Sequence, residues 1–207
     1  MIFFEEHVYA LSTSFHTGGP VMVPLLLVSL VVWLLIAERW LYLRQMGRKM
    51  MSGEEAWRHI EQGKIPAAGR GGMAGLLTRR FMEERSGDPL LDKRILDEVV
   101  QSVQRPLNGL LPLIGVLAAL TPLLGLLGTV TGMMSTFKVM SLFGTGDARG
   151  MASGISEALI TTETGLIIAI PAMYMKNYLE HRAQQIGEQI VSTGYFLRRH
   201  LHGKESE

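Results

Sequence analysis

Cysteine is absent from this sequence, which excludes disulfides and thiolate metal sites. The six histidines are scattered without the HxxxH or HExxH spacing of metal ligands, so we predict no metal site. The formal net charge is only +1, and this balance gives no indication of a nucleic-acid partner. Lysine and arginine are also missing from residues 1–19, whereas a secretory signal peptide begins with basic residues. We therefore expect the first apolar stretch to remain in the mature protein.

Apolar residues are abundant, at 47% of the chain, with a mean hydropathy of +0.21. These values are typical of a membrane protein that has a substantial soluble part. Three stretches are long enough to cross a hydrocarbon core of about 30 Å as helices. We predict an all-α membrane protein with three transmembrane helices and long cytoplasmic helical extensions. The predicted transmembrane helices cover residues 20–37, 107–142 and 152–176.

The first span is followed by aromatic and then basic residues, which is the pattern of an interfacial belt leading into a cytoplasmic segment. That segment, residues 38–106, holds thirteen basic and ten acidic residues and predicts a soluble helical region. Ser52 and Glu55 fit a capping box at the start of a short helix. Asp88 and Pro89 fit the N-cap and first residue of a later helix that leads toward the second span.

A glycine-rich tract, residues 67–75, predicts a flexible joint in this region, followed by a helix over residues 76–85. No strand precedes the tract, and it matches neither the P-loop nor the dinucleotide fingerprint, so phosphate binding is disfavoured.

Basic residues are distributed unevenly among the segments outside the spans. None precedes the first span, thirteen lie between the first two, one lies between the second and third, and five follow Tyr174, counting Lys176 at the end of the third span. Because basic residues concentrate on the cytoplasmic side, we predict an external N-terminus and a cytoplasmic C-terminus. Residues 1–19 and a turn at 143–151 are then external, and the tail 177–207 is cytoplasmic. We expect the tail to continue the third span as a helix, weakened at Gly187 and Gly194, and to pack on the helix that starts at Asp88.

The third span is unusual because polar residues interrupt its apolar sequence. A charged side chain in mid-bilayer costs about 2.5–3.5 kcal/mol on insertion scales, so such residues usually face protein or water. At a rise of about 1.5 Å per residue, the two carboxylates lie roughly 9 and 18 Å from the outer edge. The first functional candidates are Glu157, Thr161, Thr162, Glu163 and Thr164.

The second span contributes small and polar residues at a matching depth. Gly125, Gly128 and Gly132 predict close packing against another helix, and Thr129 lies within a turn of the depth of Thr162. Two prolines, Pro112 and Pro122, are predicted to bend this span.

Two alternatives stay open for the threonines. Each hydroxyl either faces a partner or bonds to a carbonyl of its own helix. In addition, Thr162 lies about 140° from Glu157 around the helix, so one narrow stripe does not hold both. Either Thr162 faces the neighbouring helix, or the helix turns within an assembly.

Two motifs carry a family resemblance. LLGTVTGMMSTF (126–137) and GISEALITTETGLIIAIPAMYMKN (154–177) resemble the signature spans of the ExbB/TolQ group, relatives of the flagellar MotA stator subunit. The resemblance implies a homopentameric ring in the bacterial inner membrane, with residues 1–19 and 143–151 in the periplasm. It implies a single-span ExbD or TolR type subunit in the lumen and a TonB or TolA type client. It implies proton-driven work, with no enzyme activity and no cofactor.

Carried onto this sequence, the family's lumenal glutamate corresponds to Glu157, and its two pore threonines correspond to Thr129 and Thr162. Glu163 departs from the small residue expected after the second threonine, which leaves an extra carboxylate or a different ion preference open. Within the group, the ExbB and TolQ roles are both open. A non-conducting membrane scaffold is the alternative from another class, while the lack of an internal repeat disfavours a solute transporter.

Overall fold

The computed structural model describes residues 18–47, 50–67 and 71–203, and all regular structure within these ranges is helical. The α-helices are α1 (Met22–Met46), α2 (Gly53–Glu61), α3 (Gly72–Glu84), α4 (Pro89–Gln104), α5 (Leu111–Phe143) and α6 (Ala148–Gly203). Short 3₁₀ helices, Arg105–Asn108 and Gly144–Gly146, join α4 to α5 and α5 to α6. Three helices (α1, α5 and α6) are long and apolar enough to cross a membrane. The all-α prediction with three candidate spans is therefore confirmed. Most of the predicted external N-terminus (1–17), residues 48–49 and 68–70, and the last four residues of the tail lie outside the described ranges.

The helix starts that the sequence predicts in the charged segment are confirmed. At α2, the Glu55 N–H donates to Ser52 Oγ at 3.2 Å and the Ser52 N–H donates to Glu55 Oε2 at 3.3 Å, which completes the capping box. At α4, Pro89 is the first helical residue and the Leu90 N–H donates to Asp88 Oδ1 at 3.0 Å. In both cases a side-chain oxygen satisfies a backbone donor that the first turn leaves free.

The prediction of a flexible joint over residues 67–75 was wrong in its second half, because α3 already begins at Gly72. Gly71 precedes the helix at φ 83°, a left-handed conformation that glycine adopts without a steric penalty. Its carbonyl accepts the N–H groups of Met51 and Gly75 at 3.1 and 3.0 Å. Ala74 and Gly75 are buried, so the small residues of this tract allow close packing.

The helix bounds correct two further expectations and confirm a third. The predicted turn 143–151 is shorter, because α6 starts at Ala148 and the Gly150 N–H donates to Asp147 Oδ1 at 3.0 Å. Pro112 is the second residue of α5, where a missing N–H costs nothing, so only Pro122 lies inside that helix. The expectation that the tail continues the third span as a helix is confirmed, because α6 runs through Gly187 and Gly194 without interruption.

The chain divides into two compact units. The polar unit consists of Ala37–Pro112 with Asn177–Glu207, and the apolar unit consists of Met1–Ile36 with Leu113–Lys176. The core of the polar unit is built from apolar residues spaced three and four apart along its helices, which places them on one face of each. Its largest buried side chains are Leu43, Met73, Leu77, Phe81, Leu96, Leu111, Leu179, Ile190 and Leu197.

The C-terminal part of α6 packs on α4 within the polar unit. The Gln104 Nε2 group donates to the Gly187 carbonyl at 3.0 Å, and Arg198 Nη1 lies 3.2 Å from Asp97 Oδ2. Gly194 faces Val100 so closely that a Cβ there would lie 2.7 Å from Val100 Cγ2. The predicted packing of the tail on the helix that starts at Asp88 is therefore confirmed.

A buried carboxylate fixes the loop before α4. Asp92 is 2% exposed, and its Oδ1 accepts the Ser86 N–H at 2.7 Å, the Ser86 hydroxyl at 3.2 Å and the Gly87 N–H at 3.3 Å. The Arg85 guanidinium lies 4.0 Å from the other carboxylate oxygen. A buried carboxylate is tolerated only when its oxygens are bonded in this way. Asp92 therefore positions the loop that connects α3 to α4.

Candidate functional site

Small residues form a closely packed seam between α5 and α6 in the apolar unit. A Cβ on Gly125 would lie 3.0 Å from the Thr161 carbonyl oxygen, and one on Gly132 would lie 2.6 Å from the Gly154 carbonyl oxygen. On the other helix, a Cβ on Gly165 would lie 2.8 Å from the Thr121 carbonyl oxygen. This order of pairs shows that the two helices run antiparallel. The backbones are in direct contact, because these positions leave no room for a side chain.

Thr161 lies inside this seam and not on an open surface. It is fully buried, and a side chain on Gly128 would overlap its hydroxyl and methyl groups. Its hydroxyl is within hydrogen-bond distance of two carbonyl oxygens of its own helix, those of Ala158 at 2.9 Å and Glu157 at 3.0 Å. Thr161 therefore serves helix packing in this structure.

Thr162 and Thr129 flank the seam. The Thr162 hydroxyl lies 3.1 Å from the Ala158 carbonyl oxygen of its own helix and 3.2 Å from the Gly125 carbonyl oxygen of α5. Of the two alternatives for this residue, the structure shows the first: Thr162 faces the neighbouring helix. The Thr129 hydroxyl donates to the Leu126 carbonyl at 2.6 Å. Both threonines are half-buried.

The two flanking threonines lie on the same side of the helix pair. At about 100° per residue, Thr129 is rotated by about 40° from Gly125, and Thr162 by about 100° from Thr161. Because α5 and α6 are antiparallel, rotations of the same sign along the two sequences lead to the same side of the pair. One chain therefore presents Thr129 and Thr162 together.

Glu157 and Thr164 lie on the opposite side of α6. Around the helix, Glu157 lies about 40° and Thr164 about 60° from Thr161, in the direction opposite to that of Thr162. The Glu157 carboxylate contacts Gly19, where an added Cβ would overlap Oε1, just before α1 begins. The Thr164 hydroxyl donates to the Ile160 carbonyl at 2.7 Å. A single chain therefore does not bring Glu157 to the side that carries Thr129 and Thr162.

Glu163 faces away from the seam and is exposed. It lies about 200° from Thr161 around the helix, in the middle of an apolar face. Leu159, Ile167 and Ile170 on that face are 65%, 61% and 67% exposed. A carboxylate surrounded by apolar side chains in this way is costly if lipid covers it.

The alternative in which a hydroxyl bonds to a carbonyl of its own helix applies to every threonine of the predicted site. Thr129, Thr161, Thr162 and Thr164 all have a carbonyl oxygen of their own helix within hydrogen-bond distance, and only Thr162 also reaches α5. Within residues 18–47, 50–67 and 71–203, no three histidine, aspartate or glutamate side chains could jointly hold a metal ion.

The half of the seam that α6 contributes was not predicted from the sequence. Gly154, Ala158 and Gly165 are all buried against α5, where the hydroxyl of Thr136 would overlap a side chain on Gly154. The signal was present, since small residues recur on α6 three and four positions apart, as they do on α5. The prediction for the third span was based on its polar residues and did not use that pattern.

The chain is similar to known proteins over most of its length. The model of the MotA/TolQ/ExbB proton channel family matches residues 70–191. The chain belongs to this family. A relative from Synechocystis sp., described as a putative biopolymer transport protein ExbB-like 1, is 30% identical over 213 residues, covering 87% of this chain and 75% of the relative. The Tol-Pal system protein TolQ of Pseudomonas aeruginosa is 26% identical over 183 residues, covering 80% of this chain and 79% of that protein.

Family membership confirms the resemblance of the two motifs in the second and third spans. It identifies the chain as a multi-pass membrane protein and as a proton-channel, ExbB/TolQ-type subunit of biopolymer transport. The family consists of transport and channel subunits rather than enzymes.

Proposed function

We propose that this chain is the ExbB-type subunit of a motor in the bacterial inner membrane that is driven by the proton motive force. It acts with an ExbD-type single-span subunit and energises TonB-dependent transport across the outer membrane. The relative named ExbB-like supports this choice within the family. The N-terminus is periplasmic and the C-terminus cytoplasmic, as the distribution of basic residues predicts.

The observation that carries the proposal is the shared side of Thr129 and Thr162. A closely packed seam of small residues holds the two hydroxyls on one surface of the helix pair. Threonine does not titrate near neutral pH, so this surface orders water or meets a titratable group but does not itself transfer charge. A proton path along it needs a second component with a titratable residue. An ExbD-type helix in the lumen of a ring supplies that component.

The exposed apolar face around Glu163 supports assembly into a ring. Covering this face with a neighbouring copy removes the Glu163 carboxylate from lipid, where it is costly. We propose five copies, by resemblance to the ExbB/TolQ group. Glu157 lies on the opposite side of α6 from Thr162. In such a ring it is therefore connected to the ion path only through groups that other chains contribute.

A second candidate is a TolQ-type subunit of the Tol-Pal system, which the Pseudomonas aeruginosa relative favours. A third candidate is a non-conducting scaffold, which the own-helix hydrogen bonds of the threonines favour.

The experiment is the native mass of the full chain in detergent, measured alone and after co-expression with an ExbD-type or a TolR-type partner. We expect a five-chain ring that takes up the ExbD-type subunit. Preference for the TolR-type partner would favour the TolQ role. A monomer or dimer that is indifferent to both partners would overturn the motor proposal, and the scaffold would replace it.

The absence of cysteine gives a direct test of the proposed topology, because any introduced cysteine is unique. Gly146→Cys lies in the connection between α5 and α6 with no atom within 4 Å of its Cβ position, and Ser192→Cys lies exposed on α6. In intact cells, a membrane-impermeant maleimide with access to the periplasm should label the first variant and spare the second. The reverse pattern would overturn the orientation.

A further inference from the structure

A cavity of about 440 Å³ lies between the end of α1 and α6 within the polar unit. Two arginines, Arg44 from α1 and Arg182 from α6, line it together with Trp40 and Tyr178. Its floor is apolar, because Leu43 and Leu179 are each 1% exposed. We propose that this cavity binds the head group of an anionic phospholipid, with the two guanidinium groups on the phosphate.

The charges of the cavity are not neutralised by the protein. No acidic residue lines it, and neither arginine forms an ion pair with a carboxylate among the described residues. The Arg44 guanidinium lies 4.9 Å from the centre of the Trp40 ring, and Arg182 Nη1 donates to Gln185 at 3.2 Å. A guanidinium carries five N–H donors, so most donors of both groups remain available for an anion. A larger cavity of the polar unit is lined by two acidic residues, Glu180 and Glu188, and, in the part of the chain that the structure describes, by no basic residue.

The position of Arg182 is built into the contact between the two helices. A Cβ on Gly47, just after α1, would lie 3.6 Å from Arg182 Nη2. The guanidinium of α6 therefore rests against the end of α1. Two cationic groups from different helices thus converge on one cavity, a geometry that suits a phosphate better than either arginine alone.

The depth of the cavity fits a lipid head group. The first predicted span ends at residue 37, and Trp40 and Arg44 follow by roughly 5 and 10 Å at 1.5 Å per residue. The third ends at residue 176, and Tyr178 and Arg182 follow by roughly 3 and 9 Å. The polar layer of a bilayer extends about 5–7 Å beyond the hydrocarbon on each side. Trp40 and Tyr178 therefore lie where aromatic belts form. The backbones of the two arginines lie a few ångströms outside the polar layer, and their long side chains, which lean toward the N-terminus of each helix, extend back into it.

Trp40 offers a reporter at the site itself. The chain has three tryptophans, so Trp33→Phe with Trp57→Phe leaves Trp40 as the sole one. In this background, the full chain is reconstituted in phosphatidylcholine bilayers with increasing brominated phosphatidylglycerol. Quenching of Trp40 then gives the affinity for the anionic lipid relative to phosphatidylcholine.

We expect a clear preference for phosphatidylglycerol in this background, which R44Q/R182Q lowers by about 30-fold, since each arginine near an anionic surface contributes about fivefold. R44K/R182K should retain most of the preference. The matched control is R58Q/R94Q, which removes the same charge at two exposed positions outside the cavity and should leave the preference unchanged.

Several outcomes would overturn the proposal. Absence of a preference in the sole-tryptophan background would do so, as would an equal loss in R44Q/R182Q and R58Q/R94Q, which would indicate surface charge only. If inorganic phosphate in excess abolishes the preference, the site takes a free anion and not a lipid. Should R44Q/R182Q lose its helical circular dichroism, the single variant R182Q decides, with an expected loss of about fivefold.

Discussion

Gly132 and Gly154 face each other across the seam between α5 and α6 with no space for a side chain on either. A Cβ on Gly132 would lie 2.6 Å from the Gly154 carbonyl oxygen, and one on Gly154 would lie 2.8 Å from the Gly132 carbonyl oxygen. Both of these carbonyl oxygens belong to the backbone, so they cannot move aside as the end of a flexible side chain can. The spacing of the two helices is therefore fixed by these glycines.

Gly132→Ala should destabilise the protein, because overpacking of a tight contact costs about 1–3 kcal/mol. Gly115→Ala in the same helix is the matched control, since its Cβ would be at an ordinary 3.5 Å from Lys176 Cε. Thermal unfolding in detergent should show a lower midpoint for the first variant and an unchanged or higher one for the second. Equal midpoints would show that the seam tolerates a methyl group.

Thr129→Val and Thr162→Val should lower proton flux in liposomes that contain the chain and its partner, because valine keeps the shape and removes the hydroxyl. Thr131→Val is the control on the same helix, since its hydroxyl donates to the Gly128 carbonyl at 3.0 Å in the same manner as that of Thr129. Thr131 lies on the other side of α5 at about 100° per residue. Equal flux in all three variants would contradict the proposed ion path.

Glu163 provides a test of what covers the exposed face of α6. If a neighbouring chain meets its carboxylate, Glu163→Leu should lower the temperature at which the oligomer dissociates, and Glu163→Gln should lie between it and the native protein. If lipid covers the face, Glu163→Leu should instead be stabilising, because it removes a cost of about 2.5–3.5 kcal/mol. Native gels after heating distinguish the two results.

Asp92→Ala should destabilise the polar unit by about 2–3 kcal/mol, because it leaves the Ser86 and Gly87 donors without their acceptor. Asp97→Ala is the control from the same helix. Its partner Arg198 is exposed, so the loss of that ion pair should cost below about 1 kcal/mol. Chemical denaturation followed by circular dichroism measures both, and similar losses would contradict the structural role of Asp92.

The two glycines in the C-terminal part of α6 should respond differently to alanine. At Gly187 the nearest atom to an added Cβ is Gln104 Nε2 at 3.6 Å, so Gly187→Ala should gain up to about 1 kcal/mol of helix propensity. At Gly194 the added Cβ would lie 2.7 Å from Val100 Cγ2, and valine is rigid at χ1. Gly194→Ala should therefore be destabilising in the same denaturation assay.

Much of the fold follows from local signals in the sequence. Ser52 with Glu55, and Asp88 with Pro89, define helix starts through contacts within one turn, and the structure has them. The prediction for the tract 67–75 was wrong in its second half because burial of Ala74 and Gly75 overrides the low helix propensity of glycine. The bonds of Asp92 to Ser86 and Gly87 depend on a loop conformation that no periodic pattern encodes.

The direction in which each candidate site residue faces could not be predicted from the sequence. Helical spacing alone separates Thr162 from Glu157, and it leaves open which of them faces the neighbouring helix. The structure answers this for one chain, through the contact of Thr162 with the Gly125 carbonyl and of Glu157 with Gly19. What lies against the exposed Glu163, lipid or a neighbouring copy, is not part of this chain, so its sequence does not specify it.

The own-helix hydrogen bonds of Thr129 and Thr162 determine what these residues offer to their surroundings. A hydroxyl that gives its only proton to a carbonyl of its helix presents just lone pairs on its outer side. A protonated carboxyl group can donate to those lone pairs, whereas a carboxylate can only be repelled by them. The threonine pair therefore discriminates between the two forms of any acid that lies against it and favours the neutral one.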